Sequence, residues 1–591
     1  MNDNTNTVPN TSRHDVVTFD LIIEGQAVDS AVEVMSVSIV KEINRIPTVK
    51  IIIRDGDPAT QTFAESEKEQ FIPGKKIQIN IGLDRQNKTL FRGIITKHSI
   101  KILQNGAANL LLECKDDAVK LTIGRHNHYY EESKDSEIIE TIIGRYSGLK
   151  GNVQGTNLKH REVVQHHCSD WDFILMRAEA NGQVVIVDDG TISVMKPDTR
   201  AEPALRLAYG SSLLEFEADM DARYQWSSVD ARSWDYAGQS LFQVSADSAD
   251  VREPGNLSGQ SLSDVAGLAN YEIRHSGHVI EEELKAWADA AMLKSRLAKI
   301  CGRARFTGFP DVKPGQTLDL KGLGSRFNGR VFVSAVRHDV GDGDWETQVQ
   351  LGMRPDWFSH AADIMDVPAA GIIPGIEGLQ IGKVVQLQDD PEGEHRILVR
   401  LPIIDANAQG IWARIASLDA GANRGAFFRP EIDDEVIVGF INSDPRDAVV
   451  LGMLHSSAKP APITAQDVNN EKGFTTREGM RVHFNDQTKT ITIDTPAGNK
   501  IKLDEGSTSI NITDQNGNKV NMSPSGIDVE SPLNVNLKAG VNLSLSAGAA
   551  LSISASQLTV SATGPLELSG GTAKLAGSGI AEISGGLVKI N

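Results

Sequence analysis

The stretch AGVNLSLSAGAALSISAS, Ala539 to Ser556, limits what this 591-residue chain can fold into more than any other segment. From Leu533 to Ala555 every odd position is Leu, Val, Ile or Ala, and nearly every even one is Asn, Ser, Gly or Lys. Period-two alternation sets all the apolar side chains on one face of an extended backbone. Strands of globular domains run about 5–6 residues. This run, at roughly 3.3 Å per residue, would reach on the order of 75 Å if straight. It also carries a period of eight: Ile527, Val535, Leu543 and Leu551 form one series, and Val529, Leu537, Leu545 and Ile553 a second. The pairs Ala539-Gly540 and Ala547-Gly548 mark the same octad.

One chain has nothing to bury such a face against. A single-chain β-helix needs corner sequences, and the octads offer only small residues. Two sheets face to face would leave open edges that invite further association. Three copies wound about one axis remove both problems, with glycine at the octad boundary letting the strand bend. The sequence therefore predicts a homotrimeric prism. Its core holds Ile527, Val529, Val535, Leu537, Val541, Leu543, Leu545, Leu551 and Ile553. A disordered tail is opposed by the strict alternation, and an amyloid-like segment by the large structured protein before it.

Further upstream the repeat loosens. RVHFND, TITIDT, NKIKLDE, TSINITD and NKVNMSP carry alternating apolar pairs beginning at Val482, Ile491, Ile501, Ile510 and Val520, nine or ten residues apart. Turn signals such as Asn516-Gly517-Asn518 separate them.

A chain of this length divides into roughly three or four domains. Residues 1–16 are polar and read as a flexible N-terminus. Residues 17–360 form a largely β, α+β region with strands such as TVKIIIRD and helices at SEIIETIIG, SDWDFILMRAEANG and EEELKAWADAAMLKSRLAKI. Within it, 226–275 is polar and poorly periodic, and reads as loops or a small insertion. Residues 361–380 are a linker, 381–457 a closed barrel of about five strands, 458–472 a second linker and 473–591 the needle.

The net charge of −19 argues against nucleic acid, which would call for a basic face. No segment reaches the roughly 18 apolar residues of a membrane span. The start MNDNTNTVPNTSRHD lacks a signal-peptide layout, so cytoplasmic synthesis is expected. Cys114, Cys168 and Cys301 are too few and scattered for a disulfide framework. His166, His167 and Cys168, like His126 and His128, are chain neighbours without a second ligand pair. No metal and no cofactor is expected.

The octad tail resembles the triple-stranded β-helical needle of contractile-tail spikes, the VgrG family and the myophage needle. WARIASLDAGANRGAFFRPEIDDEVIVGFINSDPRDAVVLGMLHS resembles the oligonucleotide/oligosaccharide-binding (OB) type barrel of those spikes. There the usual Pro-Glu-Val-Gly-Asp-Glu-Val is here Pro430-Glu431-Ile432-Asp433-Asp434-Glu435-Val436, with glycine missing from one turn. FIPGKKIQINIG, LFRGIITK, SDWDFILMRAEANG, GRARFTGFPDVKPGQTLDL and FNGRVFVSAVRHDV are similar to the hub portion of the same proteins.

The resemblance implies a trimeric hub and spike of a contractile injection machine: a type VI secretion system, an extracellular phage-tail-like particle or a phage tail. By that resemblance each chain contributes two similar barrels to a pseudo-sixfold hub, which adapts the trimer to a hexameric inner tube and contacts baseplate components. The needle's blunt end would receive a conical PAAR-repeat tip protein, with effector cargo carried along. Contact with the target membrane would be mechanical. The tip-docking candidates are Ile583, Leu587, Val588 and Ile590, too near the end to be covered by further chain. An iron-binding apex is not expected, because no histidine follows His483.

Catalysis is not expected either. The linker before the needle is short and the chain stops after the octads, leaving no room for a domain of about 100 residues. His-Glu-x-x-His, Gly-x-Ser-x-Gly and the P-loop are all missing. The alternative is a trimeric tailspike or receptor-binding fibre that binds or cleaves glycans. It would need paired carboxylates and aromatic platforms, yet no aromatic residue follows Phe484.

Overall fold

The computed structural model describes residues 16–104, 107–267, 270–361, 364 and 367–590. The chain packs as two compact units: residues through Gln380 with 411–414 and 438–449, and the remainder from Ile381 onward. The architecture is mainly β.

Ile- and Val-rich alternation in 17–115 produces six strands: Val17–Ile23, Val34–Glu42, Thr48–Arg54, Lys76–Leu83, Lys88–Ile102 and Ala108–Lys115. Their inward residues, among them Ile39, Ile51, Ile53, Ile79, Phe91 and Leu110, form one core. Six more strands follow: Leu205–Ala208, Leu213–Met220, Ile300–Thr307, Thr317–Lys321, Gly329–Gly341 and Asp344–Leu351. Phe306, Leu318, Leu320, Val333 and Val349 fill their core.

The two sets are the same fold twice. Numbered in chain order, each pairs as first-fourth-fifth-sixth-third-second. Each has a bulge between second and third strands, at Val34/Ser36 and at Leu213/Glu215, and another between fifth and sixth, at Ile95/Lys97 and at Val333/Ala335. Gly74 donates its N–H to Ile95 O at 2.8 Å, and Gly315 does so to Val333 O at 2.8 Å. Both glycines have positive φ, +99° and +87°, a conformation that suits glycine far better than other residues. One difference is that first and fourth strands run antiparallel in the first lobe and parallel in the second.

The lobes join where Gly329–Gly341 pairs antiparallel with Val34–Glu42, giving one continuous sheet. Trp345 and Val340 of the second lobe enter the first lobe's core there. The region is thus a pair of lobes joined in one sheet, where the resemblance implies two similar barrels. Between the lobes sit helices Asp135–Gly144 and Asp170–Ala180 on short sheets, with Ile138, Ile139, Ile142, Phe173 and Ile174 buried. Ser169 caps the second helix, accepting from Asp172 N–H.

Residues 226–275 are not irregular. Strands Ser228–Asp235, Ser240–Ser245 and Asn270–His275 form a sheet, with helix Gly259–Ala266 in the same segment. The sheet packs through Val229, Ala231 and Val244 on Leu284, Ala288 and Ala291 of helix Glu281–Leu297. Its polar composition hid a small domain whose core is supplied largely by a helix outside the segment.

Five strands close a barrel in the order Gln380–Gln386, Ile397–Arg400, Ile411–Ile415, Ala448–Met453 and Glu435–Phe440. GAFFRP, which reads as a strand by composition, lies outside the barrel; Arg424–Gly425 pairs only with Ala420–Gly421.

Candidate functional site

The surface with most functional content is the apolar face of 471–590. Seven five-residue strands, from Glu471–Thr475 to Gly526–Glu530, form an antiparallel meander. Its register lines up the nine-to-ten-residue repeat as two ladders. One runs Val482, Ile493, Ile501, Ile512, Val520, Val529, and the other Phe484, Ile491, Leu503, Ile510, Met522, Ile527. Directly opposed side chains lie on the same face of a sheet, so twelve apolar residues share one face. The opposite face carries ion pairs across strands, such as Arg481–Asp494 at 2.6 Å. These hold register without burying charge.

The meander is a difference from the expectation. Over 473–530 the chain folds back on itself in hairpins rather than winding as a β-helix. Beyond Leu533, extended backbone bends at 540–541, 548–549, 556–557, 563–564, 571–572, 578–579 and 586–587, every seven or eight residues. Among the described residues none from 534 to 590 makes a hydrogen bond within the chain or belongs to a strand. Val535, Leu537, Val541, Leu543, Leu545, Leu551 and Ile553, with Ile527 and Val529 at the ladder ends, are each at least 54% exposed. Ile583, Leu587, Val588 and Ile590 lie in the last bent segments and are exposed as well. Ile527 and Val529 are thus brought into a sheet with other apolar residues, while the remaining candidates stand in a row that nothing in the chain covers.

Backbone amides are obligatory hydrogen-bonding groups. A segment of this length with none made internally has its N–H and C=O groups free for water or other chains.

The barrel turn that lacks the family glycine keeps the glycine conformation. Asp433 has φ +69°. Its neighbours close the turn: Glu431 N–H donates to Asp434 Oδ2 at 2.8 Å, and Asp434 N–H to Glu431 O at 3.1 Å. Asp tolerates the left-handed region better than most residues.

Titratable clusters elsewhere are structural in character. Burial would push the Asp135 carboxyl up, but hydrogen bonds from His160, Arg177 and Asn181 hold it well below the usual carboxylate range. Arg177 also reaches Glu283 at 3.7 Å, tying helix 170–180 to helix 281–297. Burial pushes the Cys114 thiol up to about 12, an unreactive state. His166 and His167 have ring centres 6.4 Å apart. Among the described residues no group of three or more His, Cys, Asp or Glu is placed to hold a metal ion.

Two similar barrels were expected from the resemblance alone, and the residue-level signal of the duplication was not read. Its signal was there: Pro73-Gly74-Lys75-Lys76-Ile77-Gln78-Ile79 matches Pro314-Gly315-Gln316-Thr317-Leu318-Asp319-Leu320, and Arg92-Gly93-Ile94-Ile95-Thr96 matches Arg330-Val331-Phe332-Val333-Ser334.

Comparison with known proteins adds the following. Residues 13–342 match the family described as Alg8 N-terminal domain, and residues 380–455 match the type VI secretion system/phage-baseplate injector OB domain. No curated protein matches. Among solved structures, a tail protein from Neisseria meningitidis is 12% identical with TM-score 0.43, over 58% of this chain and 98% of that one. A type VI secretion component of E. coli, described as similar to the T4 bacteriophage tail proteins gp27 and gp5, is 14% identical with TM-score 0.35, over 73% and 99%. The Francisella PdpA–VgrG complex in its half-lidded form is 9% identical with TM-score 0.39, over 88% and 88%. With more than half its length matched by one family, the chain belongs to the Alg8 N-terminal-domain family, and behind that region it carries a match to the type VI secretion system/phage-baseplate injector OB domain.

Proposed function

We propose that three copies of this chain form the hub and spike of a contractile injection machine, with 471–590 as the shared needle. The observation that carries the reading is the bent, extended tail. Its bends recur at the octad spacing, its backbone groups are unpaired within the chain, and its apolar row is uncovered. Two neighbouring copies satisfy all three conditions together. Each Leu, Ile or Val taken from water in this way contributes about 1.5–3 kcal/mol before the entropic cost of assembly. The twelve-residue face of the meander would close against its two counterparts to make the upper part of the same prism.

In this reading the protein's work is mechanical: sheath contraction drives tube and spike outward, and the needle concentrates force on a small area of membrane. The hub receives the hexameric inner tube and baseplate, the barrel passes the load on, and the tip region takes a PAAR-repeat protein with any effector cargo. No helix among the described residues is long and apolar enough to cross a membrane. Sedimentation velocity of the full chain at micromolar concentration tests the stoichiometry: a species of three chain masses is expected, and a monomer would overturn the proposal.

A further inference from the structure

The chain leaves the second lobe at Leu351 and does not enter the barrel until Gln380. On the way, 353–361 lies against helices 170–180 and 281–297, fastened at a few points. Met353 N–H donates to Leu297 O at 3.1 Å. Lys294 Nζ donates to Asp356 O at 2.6 Å, and Phe358 N–H to Glu179 Oε2 at 2.8 Å. Lys294 Nζ also stands 4.8 Å from the centre of the Trp357 ring. No side chain of 353–361 is fully buried: Met353, Pro355, Trp357 and Phe358 are half-buried and the others exposed. The strand before it, Asp344–Leu351, is instead bonded on both sides, to Ile300–Thr307 and to Gly329–Gly341.

The surface that receives this segment is charged at its centre. Glu179 and Lys294 pair with each other, one from each helix, with side chains 10% and 7% exposed. Each also bonds one main-chain group of 353–361. When the segment lifts, water takes both of those positions while the ion pair stays made. Release therefore leaves neither charge buried without a partner, which is what makes breaking a buried pair costly. Packing beneath the segment is also open. A cavity of about 190 Å³ is lined by Glu179, Gln183, Leu293, Lys294, Met353 and Trp357, among others. Gln183 is 4% exposed, and among the described residues its Oε1 has no hydrogen-bond partner. Interiors are normally close-packed with their polar groups satisfied, so this contact parts more readily than the joint between the lobes.

We propose that 353–361 is a releasable strap. It lifts from the two helices as a unit while both lobes stay folded, and the Glu179–Lys294 pair is the latch to which it returns. The freed segment supplies roughly 30 Å of extended chain between lobe and barrel. The next fastening along the chain is Arg125, which donates to Ile364 O at 3.3 Å. Use of this slack to absorb load when a contractile machine fires rests on the function proposed above; the release itself does not.

The test is hydrogen–deuterium exchange of the full chain, read by mass spectrometry. Peptides within 353–361 should exchange together, roughly 10-fold or more faster than 344–351, while helices 170–180 and 281–297 stay protected. Glu179→Leu with Lys294→Met replaces the pair by apolar side chains of similar size, a change that buried pairs often tolerate. It removes the latch and keeps the helices packed. Exchange in 353–361 should rise roughly 10-fold further, with both helices unchanged. Glu179→Gln is the milder variant, in case the double one does not fold, and should raise exchange in the same peptides by less. A wild-type segment as protected as 344–351 overturns the strap. A segment that opens in the wild type but exchanges no faster in either variant overturns the latch. A monomer by sedimentation overturns only the mechanical use, because the release is read within one chain.

Discussion

Burial governs the chemistry of His338. It lies at the joint of the two hub lobes, its Nδ1 3.0 Å from Thr347 Oγ1 and its ring 6.0 Å from that of Trp345. Burial, with Lys41 nearby, pushes its pKa down to about 3. An unfolded histidine titrates near 6.5, so between these values the unfolded chain binds the extra proton. Stability from this residue is therefore fully present above about pH 6.5 and is lost as pH falls towards 3. The slope is up to about 1.4 kcal/mol per pH unit. Urea midpoints of the wild type should fall between pH 6.5 and 5, a window above the titration of the carboxylates, and His338→Gln should flatten that slope. An unchanged slope would show that His338 is not the titrating group. Nothing in the run VRHDV marks this histidine as buried, since its burial comes from a joint with a strand some three hundred residues earlier. Asp433 is the opposite case: the departure from Pro-Glu-Val-Gly-Asp-Glu-Val was visible in sequence, and the structure shows the turn kept at the cost of a positive φ on a non-glycine residue.

At the scale of elements, legibility followed the range of the contacts. Helix 170–180 was readable from Ser169, Asp172 and Gly182, because a cap is a local event. The nine-to-ten-residue spacing of apolar pairs revealed the repeat but not its pairing, which the structure closes as hairpins between neighbours in sequence. The segment 226–275 was opaque, because its strands bury their apolar side against a helix beyond it. The octads are the extreme case: alternation reveals an apolar face, yet nothing within the chain covers it. Replacing Leu543 and Leu551 together by Asp separates a packed core from a solvated tail. In a trimer the double variant brings six unpaired carboxylates into a dry core, each costing several kcal/mol unless protonated. The trimer should lose its resistance to heat and denaturing detergent by a wide margin. Equal resistance in variant and wild type would mean that these octads do not form the core.

On the scale of the whole molecule, the proposed function would divide its tasks among three kinds of β-structure. The duplicated lobes leave an open sheet edge at Leu213–Met220. The closed barrel has no free edge and is suited to carrying load without further association. The needle has neither aromatic platforms nor clustered charge, and its stiffness would come from backbone pairing and a narrow apolar core. Such a division predicts that the far end can be altered without disturbing the rest. Deleting residues 585–591 removes Leu587, Val588 and Ile590 but leaves every octad up to 578 and both lobes of the hub. The shortened protein should still sediment as a trimer and melt within a few degrees of the full chain, while pull-down of a PAAR-repeat partner falls to background. Undiminished binding would move the docking surface away from the needle's end. Loss of the trimer itself would assign the last octad to the clasp that holds the three chains together, and not to the tip.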